Sequence, residues 1–216
     1  MVSRFPKDKF GLIKEVLVFL FTVVMVLGVV ADVMANRETR ERLKINEQII
    51  EARIQERLTV IHSYIKVISA FNPNLNSLFI YELANGIHEA SQEHELDSHL
   101  ILTTIAQESL FDPTAKASTS NATGLGQIIP YHWGERFDFV KADLLDWEFN
   151  LDITCRIIKD MKKRHGRRKD WIAFYYSAEQ PGRSNYFNQW KRKNRAIQRL
   201  LERGRSGDDG KKENGN

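Results

Sequence analysis

One glutamate lies on a face of a predicted helix that is otherwise apolar or weakly polar. In the segment SHLILTTIAQESLF, the positions at steps of three or four residues are Ile101, Thr104, Ile105, Glu108 and Phe111. Because this face must turn toward the core, and because burial disfavours an ionised carboxylate, we expect a raised pKa for Glu108. A carboxyl group that stays protonated near neutral pH is suited to act as a general acid.

The end of this helix strengthens that expectation. Asp112 precedes Pro113, and a residue before proline is disfavoured in helical conformation, so the helix must end close to Glu108. The negative end of the helix dipole then disfavours the charged form of the carboxyl group further. The alternative is a surface glutamate on a helix of different register, and helical position alone does not decide between the two.

Four motifs follow one another in order around and after Glu108. They are QESLFDPTA, TGLGQIIP beginning fifteen residues after Glu108, NLDITCRIIKDM from Asn150, and AFYYSAEQPG from Ala173. Together with the preceding HELDSHLILTTIAQES, they resemble the soluble lytic transglycosylase family from about Ile80 to Gly182. The resemblance implies a mainly α, lysozyme-like fold and the glycan strands of peptidoglycan as substrate.

The resemblance also assigns residues. Glu108 matches the catalytic glutamate, and Ser118, counted back from Gln127, matches a substrate-contacting serine. Gln127 and Tyr176 would orient Glu108 and the sugar by hydrogen bonds, with Tyr175 as the alternative alignment for the tyrosine. Ser109 and Asn150 complete the set of candidate substrate-binding residues, although we expect them mainly to brace the loops around the catalytic helix.

The chain departs from the family pattern at a few positions. Gly126 stands where the family usually has methionine, so we expect an apolar contact to the sugar to be lost. Asn121 replaces a glycine, which is tolerable because asparagine enters left-handed conformations more readily than most residues. Ser177 stands in place of an asparagine, and the loop between Asp112 and Ser118 is one residue longer than in the family pattern. None of these changes removes Glu108.

The implied reaction uses one carboxyl group on the β-1,4 bond between N-acetylmuramic acid and N-acetylglucosamine. Glu108 would act first as acid and then as base, and the product would carry a 1,6-anhydro ring. A goose-type-lysozyme-like muramidase is the alternative enzyme, and it would need a second carboxylate such as Asp152 or Glu179. A retired lysozyme-like domain that serves a membrane-anchored assembly is the non-enzymatic alternative.

An apolar segment near the N-terminus predicts export. The residues 16–31, VLVFLFTVVMVLGVVA, follow a basic leader and are interrupted only by Thr22 and Gly28. We expect a retained single-pass anchor in the inner membrane with the catalytic domain in the periplasm, or an anchor in a phage virion membrane. A signal peptide cut after the small residues Val33 and Ala35 is the alternative. Basic residues on both sides of the segment leave its orientation open.

The rest of the chain is predicted to be largely helical. We predict four segments of the chain: an anchor at 1–35, a charged helical stalk at 36–74, a catalytic domain at 75–201 and a disordered tail at 202–216. An isoleucine- and leucine-rich stripe supports the stalk. Within the catalytic domain, helices are predicted near 76–94, 98–111, 148–164, 169–178 and 185–203, and the region 112–135 is predicted to be a long functional loop.

Composition excludes several site types. The single cysteine, Cys155, excludes an intrachain disulfide and a cysteine-based metal site, and the six histidines lack metal-ligand spacing, so we expect no metal and no cofactor. A net charge of +4 suits an anionic polymer without selecting one, and we expect no nucleic acid partner. The basic run at 159–170 is interpreted as a solvated helix end. Envelope-spanning or virion assembly proteins are further candidate partners, because a bacterial, phage, conjugation or secretion origin stays open.

Overall fold

The computed structural model of the protein describes residues 8–118, 120–175 and 180–205. These residues are mainly helical and contain two isolated bridges but no strand, so the predicted mainly α fold class is confirmed. Short 3₁₀ turns cover Asp143–Leu145 and Trp171–Phe174. The α-helices, in chain order, are α1 Asp8–Phe71, α2 Ser77–Glu93, α3 Ser98–Glu108, α4 Pro130–Phe137, α5 Trp147–His165 and α6 Gln180–Arg205.

Side-chain caps explain where three of the helices begin. Asn76 accepts backbone N–H bonds at the start of α2, Asp97 does so at the start of α3, and Asp146 at the start of α5. Each cap satisfies amide groups that have no carbonyl partner within the helix. Helix α1 ends at Phe71, because Asn72 precedes Pro73 and a residue before proline is disfavoured in helical conformation.

Four of the predicted elements differ from the structure. Helix α3 is shorter than predicted, because Leu110 and Phe111 take left-handed backbone conformations, with φ of 53° and 65°. The long loop contains α4, which begins with Pro130 at its first position, where a missing N–H is harmless. A 3₁₀ turn replaces the first part of the helix predicted at 169–178. Helix α6 continues to Arg205, and residues 206–216 of the predicted disordered tail lie outside the described residues.

The chain divides into two compact units, Met1–Gln55 and Glu56–Asn216. The described part of the first unit is helical, and its apolar side chains from Val18 onward are exposed; Phe19 and Phe21, for example, are each 68% exposed. By length and composition, α1 is apolar enough to cross a membrane, with a mean hydropathy of 2.5 over its most apolar stretch. A signal sequence near an N-terminus has the same properties, so this feature supports a membrane anchor only weakly.

The second unit contains two apolar clusters, and α5 contributes to both. Leu151, Cys155 and Ile158 face a cluster shared with the end of α1, α2, α3 and α6. Ile153 and Ile157 face the opposite way, toward a smaller cluster around Ile128. Steps of three and four residues place each set on its own face of the helix. Helix α5 therefore fixes the loop before α4 relative to the end of α3.

Candidate active site

Glu108 is the last residue of α3, and a tyrosine of α6 holds it. The Tyr186 hydroxyl group donates a hydrogen bond of 2.5 Å to Glu108 Oε1. Tyr186 is buried, whereas Glu108 keeps partial contact with solvent. The carboxyl group is thus enclosed by protein on one side and accessible on another, as an acid that must reach a substrate requires.

Burial raises the pKa of Glu108 from its ordinary value of 4.5 to about 7. The hydrogen bond from Tyr186 and the positive charge of Lys193 oppose the shift, because both stabilise the carboxylate. Burial and the neighbouring Glu108 charge also raise the pKa values of Tyr175 and Tyr186, so both hydroxyl groups keep their protons. The raised pKa expected for Glu108 is confirmed, and the group titrates in the neutral pH range.

Sequence inspection missed both residues of α6 that act on Glu108. Tyr186, Trp190, Lys193 and Ile197 recur at steps of four and three, and they are the inward-facing residues of the helix. Lys193 Nζ donates a hydrogen bond of 2.7 Å to the Ala106 carbonyl, in the last turn of α3. A charged residue on an apolar stripe was the signal that indicated Glu108, and the same signal was present at Lys193.

Ser109 and Ser118, two of the predicted substrate-binding residues, lie in different environments. Ser109 bonds back to the Ile105 carbonyl through both its N–H, at 3.0 Å, and its hydroxyl group, at 3.3 Å, so it terminates α3. Ser118 lies exposed on the loop that follows. Tyr176, Ser177 and the alternative carboxylate Glu179 lie outside the described residues.

Gln127 and Asn150 both hold the loop that carries the second motif. The Gln127 amide group donates to the carbonyls of Ala115 and Gly124, each at 3.0 Å. Asn150 is fully buried on α5 and accepts a hydrogen bond from the Gly126 N–H at 3.0 Å. Its amide group donates to the carbonyls of Thr123 and Leu144. Both side chains thus hold this loop by hydrogen bonds to its backbone, and the substrate-binding roles of Gln127 and Asn150 stay predictions.

Gly126 is required by close packing against α5. A Cβ at this position would lie 2.0 Å from Thr154 Oγ1 and 2.7 Å from the Tyr175 hydroxyl oxygen. The Tyr175 hydroxyl group also donates to the Gly126 carbonyl at 2.8 Å. A side chain at residue 126 would therefore start toward α5 and Tyr175, so the methionine usual in the family does not fit this backbone. Tyr175, the alternative tyrosine of the sequence alignment, joins the loop to the surroundings of Glu108.

A cavity of about 410 Å³ opens beside this loop. Its wall combines polar and aromatic side chains, which is the composition expected where a sugar ring is held by hydrogen bonds and by stacking on an apolar face. The residues that matter here are Ser120, Gln127, His132, Trp133 and Tyr175. The cavity and Glu108 share Tyr175 as a neighbour, since the Glu108 charge raises the pKa of that hydroxyl group.

Asp152, a candidate second carboxylate, is engaged elsewhere. It pairs with His94 Nε2 at 2.8 Å and with Arg156 at 2.9 Å, and it lines a separate cavity between α2 and α5. Asp152 is thus committed to structural ion pairs. Among the described residues, no group of three or more His, Cys, Asp or Glu side chains is arranged to hold a metal ion.

A comparison of the chain with models of protein families identifies the family to which it belongs. The model of the transglycosylase SLT domain matches residues 85–198, just over half of the chain. The chain belongs to this family. Membership supports a lytic-transglycosylase-type function in the degradation of peptidoglycan, with peptidoglycan as the substrate. No curated protein and no solved structure matches the chain significantly.

Proposed function

We propose that the protein is a peptidoglycan lytic transglycosylase in which Glu108 is the only catalytic acid and base. The observation that carries this proposal is a partly buried carboxyl group with a pKa of about 7 at the end of α3, hydrogen-bonded to Tyr186. A group that titrates in the neutral pH range can donate a proton in one step and accept one in the next. Both steps of a transglycosylase need this property.

In the first step, the Glu108 proton passes to the glycosidic oxygen of the β-1,4 bond between N-acetylmuramic acid and N-acetylglucosamine. The C1–O bond breaks, its electron pair stays on the departing oxygen, and the substrate's own acetamido group stabilises the positive charge at C1. In the second step, the muramic acid 6-hydroxyl oxygen attacks C1 and its proton passes to the Glu108 carboxylate. The 1,6-anhydro ring closes, and Glu108 recovers its starting state.

The remaining site residues fit into supporting roles in this proposal. We assign Ser118, Gln127 and Tyr176 to substrate contact, with Gln127 beside the cavity that also includes Trp133. Ser109 and Asn150 act indirectly, by fixing the end of α3 and the loop at Gly126. The ion pairs of Asp152 with His94 and Arg156 argue against Asp152 as the second carboxylate that would activate water in a muramidase.

The test uses the full chain in detergent and purified sacculi, with mass spectrometry of the released muropeptides. Glu108→Gln keeps size and polarity but cannot donate a carboxylic proton, so we expect activity to fall by about 10²–10⁴-fold or more. Asp152→Asn and Glu179→Gln are the matched controls and should keep most activity. Wild-type products with reducing ends, together with an equal loss in Glu179→Gln, would show a two-carboxylate hydrolase instead.

We further propose a single-pass inner-membrane anchor over about residues 1–35, with the catalytic domain at about 75–201 in the periplasm. Residues 36–74 would form the helical stalk, whose last turns pack into the core of the domain through Ile61, Val67 and Ile68. The exposed apolar side chains of α1 support the anchor, since water is an unfavourable surrounding for them. A mature chain that begins at Asn36, or a C-terminal reporter active only in the cytoplasm, would refute this topology.

A further inference from the structure

Helices α3 and α6 meet along faces that include two residues of opposite charge, Glu108 on α3 and Lys193 on α6. Glu108 lies on the inward face of α3, and Lys193 lies on the inward face of α6 between Trp190 and Ile197. Three hydrogen bonds between side chains fix the two helices in register: Tyr186 to Glu108, Gln107 to Gln189, and Thr103 to Asn194.

Lys193 is held at the end of α3. Its Nζ donates to the Ala106 carbonyl at 2.7 Å, two residues before Glu108. The last four carbonyl groups of a helix have no partner within the helix and carry its negative partial charge. An ammonium group at this point satisfies one of these carbonyls and brings a positive charge into the turn that ends at Glu108.

We propose that Lys193 is a positioning residue for the acid–base step, in which its ammonium group, fixed on the Ala106 carbonyl, stabilises the Glu108 carboxylate that forms when the proton leaves. This inference rests on the proposed role of Glu108. The leaving oxygen receives the proton, and the negative charge that stays on Glu108 is the charge that Lys193 faces. Lys193 itself contacts no substrate atom in this scheme.

The electrostatics of the site agree with this geometry. Among the described residues, three groups interact electrostatically with Glu108: Tyr186 and Lys193 on α6, and Tyr175 after the second 3₁₀ turn. Lys193 is the cation among them. The attraction is mutual: burial lowers the pKa of Lys193, and the Glu108 charge opposes that lowering. Removing the ammonium group should therefore raise the pKa of Glu108 and make its carboxylate harder to form.

The experiment compares pH profiles of kcat and kcat/KM for the full chain in detergent, measured as release of anhydro-muropeptides from sacculi. Glu108 must start protonated, so the alkaline limb of kcat/KM reports its pKa. For Lys193→Met we expect this limb to move up by about one pH unit and kcat to fall about tenfold. Lys193→Gln removes the charge but keeps a donor for the Ala106 carbonyl, and it should shift the limb equally. Lys193→Arg keeps the positive charge, so the alkaline limb of kcat/KM should stay in place and kcat should stay within about twofold of the wild type.

Lys191→Met is the control, because it makes the same change at an exposed position of the same helix and should leave the profile unmoved. Thermal unfolding of each variant separates stability from catalysis. An alkaline limb that stays in place in Lys193→Gln, or a loss of kcat that Lys193→Arg does not reverse, would overturn the role of Lys193. Wild-type products without anhydro ends, or full activity in Glu108→Gln, would instead overturn the proposed function on which it rests.

Discussion

The second compact unit, Glu56–Asn216, buries polar side chains in two regions in opposite ways. At the loop that precedes α4, Asn150 is fully buried and makes three hydrogen bonds to backbone groups of Gly126, Thr123 and Leu144. At the end of α3, Glu108 receives one hydrogen bond from Tyr186 at 2.5 Å, and burial raises its pKa to about 7. One group is neutral and well satisfied, and the other is ionisable and incompletely compensated.

This difference in hydrogen bonding distinguishes a residue whose burial stabilises the fold from a residue whose burial favours acid–base reactivity. A neutral amide group can exchange all its water contacts for protein contacts, so its burial stabilises the loop. An acid cannot be buried in its charged form without several compensating partners, so its burial destabilises the fold at high pH and keeps a proton available. The two regions should therefore respond to substitution with opposite changes in the free energy of unfolding.

The largest effect is expected at the loop. Asn150→Ala removes the hydrogen-bond partner of the buried Gly126 N–H and of the Leu144 carbonyl, each worth about 1–3 kcal/mol, whereas the Thr123 carbonyl keeps its hydrogen bond from the Ile128 N–H. We expect a loss of about 3–5 kcal/mol in the free energy of unfolding, measured by urea denaturation of the full chain in detergent. Asn188→Ala, at an exposed position on α6, is the control and should change stability by less than about 0.5 kcal/mol. If Asn150→Ala lowered the free energy of unfolding as little as Asn188→Ala does, the contrast between the two regions would be refuted.

A smaller effect, of opposite sign, is expected at the end of α3. Because the pKa of Glu108 is 4.5 in the unfolded chain and about 7 in the fold, its contribution to stability is fully present below pH 4.5 and is lost as pH rises through 7. Glutamine does not titrate, so Glu108→Gln should match the wild type at pH 4 and be more stable at pH 8. The difference should be at most about 3 kcal/mol, and less because Glu108 keeps some solvent contact.

Unfolding curves of the two proteins between pH 4 and pH 9 give this difference directly. Glu148→Gln is the control, since it makes the same change at an exposed position on α5. A stability gap between Glu108→Gln and the wild type that stays constant with pH would mean that the Glu108 carboxyl group ionises as freely in the fold as in the unfolded chain.

The sequence predicted those features that depend on residues close together in the chain. Helices α2, α3 and α5 were placed to within a few residues, because apolar periodicity and the caps at Asn76, Asp97 and Asp146 act within one or two turns. The end of α3 was placed three residues too late. The left-handed conformations of Leu110 and Phe111 are stabilised by tertiary contacts, which include burial of Phe111 and a hydrogen bond from Asn72 to the Leu110 carbonyl.

By itself, the sequence determined a mainly helical family member in which Glu108 occupies an apolar face at the end of a helix. Helical period fixes such a face within about two turns, so no distant contact is needed to predict it. Only the tertiary structure decided which groups surround the carboxyl group, because Tyr186 and Lys193 lie 78 and more residues farther along the chain. The same holds for Gly126, whose close approach to Thr154 depends on how α5 packs against the loop. Contacts across such separations follow from the packing of whole helices, which local pattern does not specify.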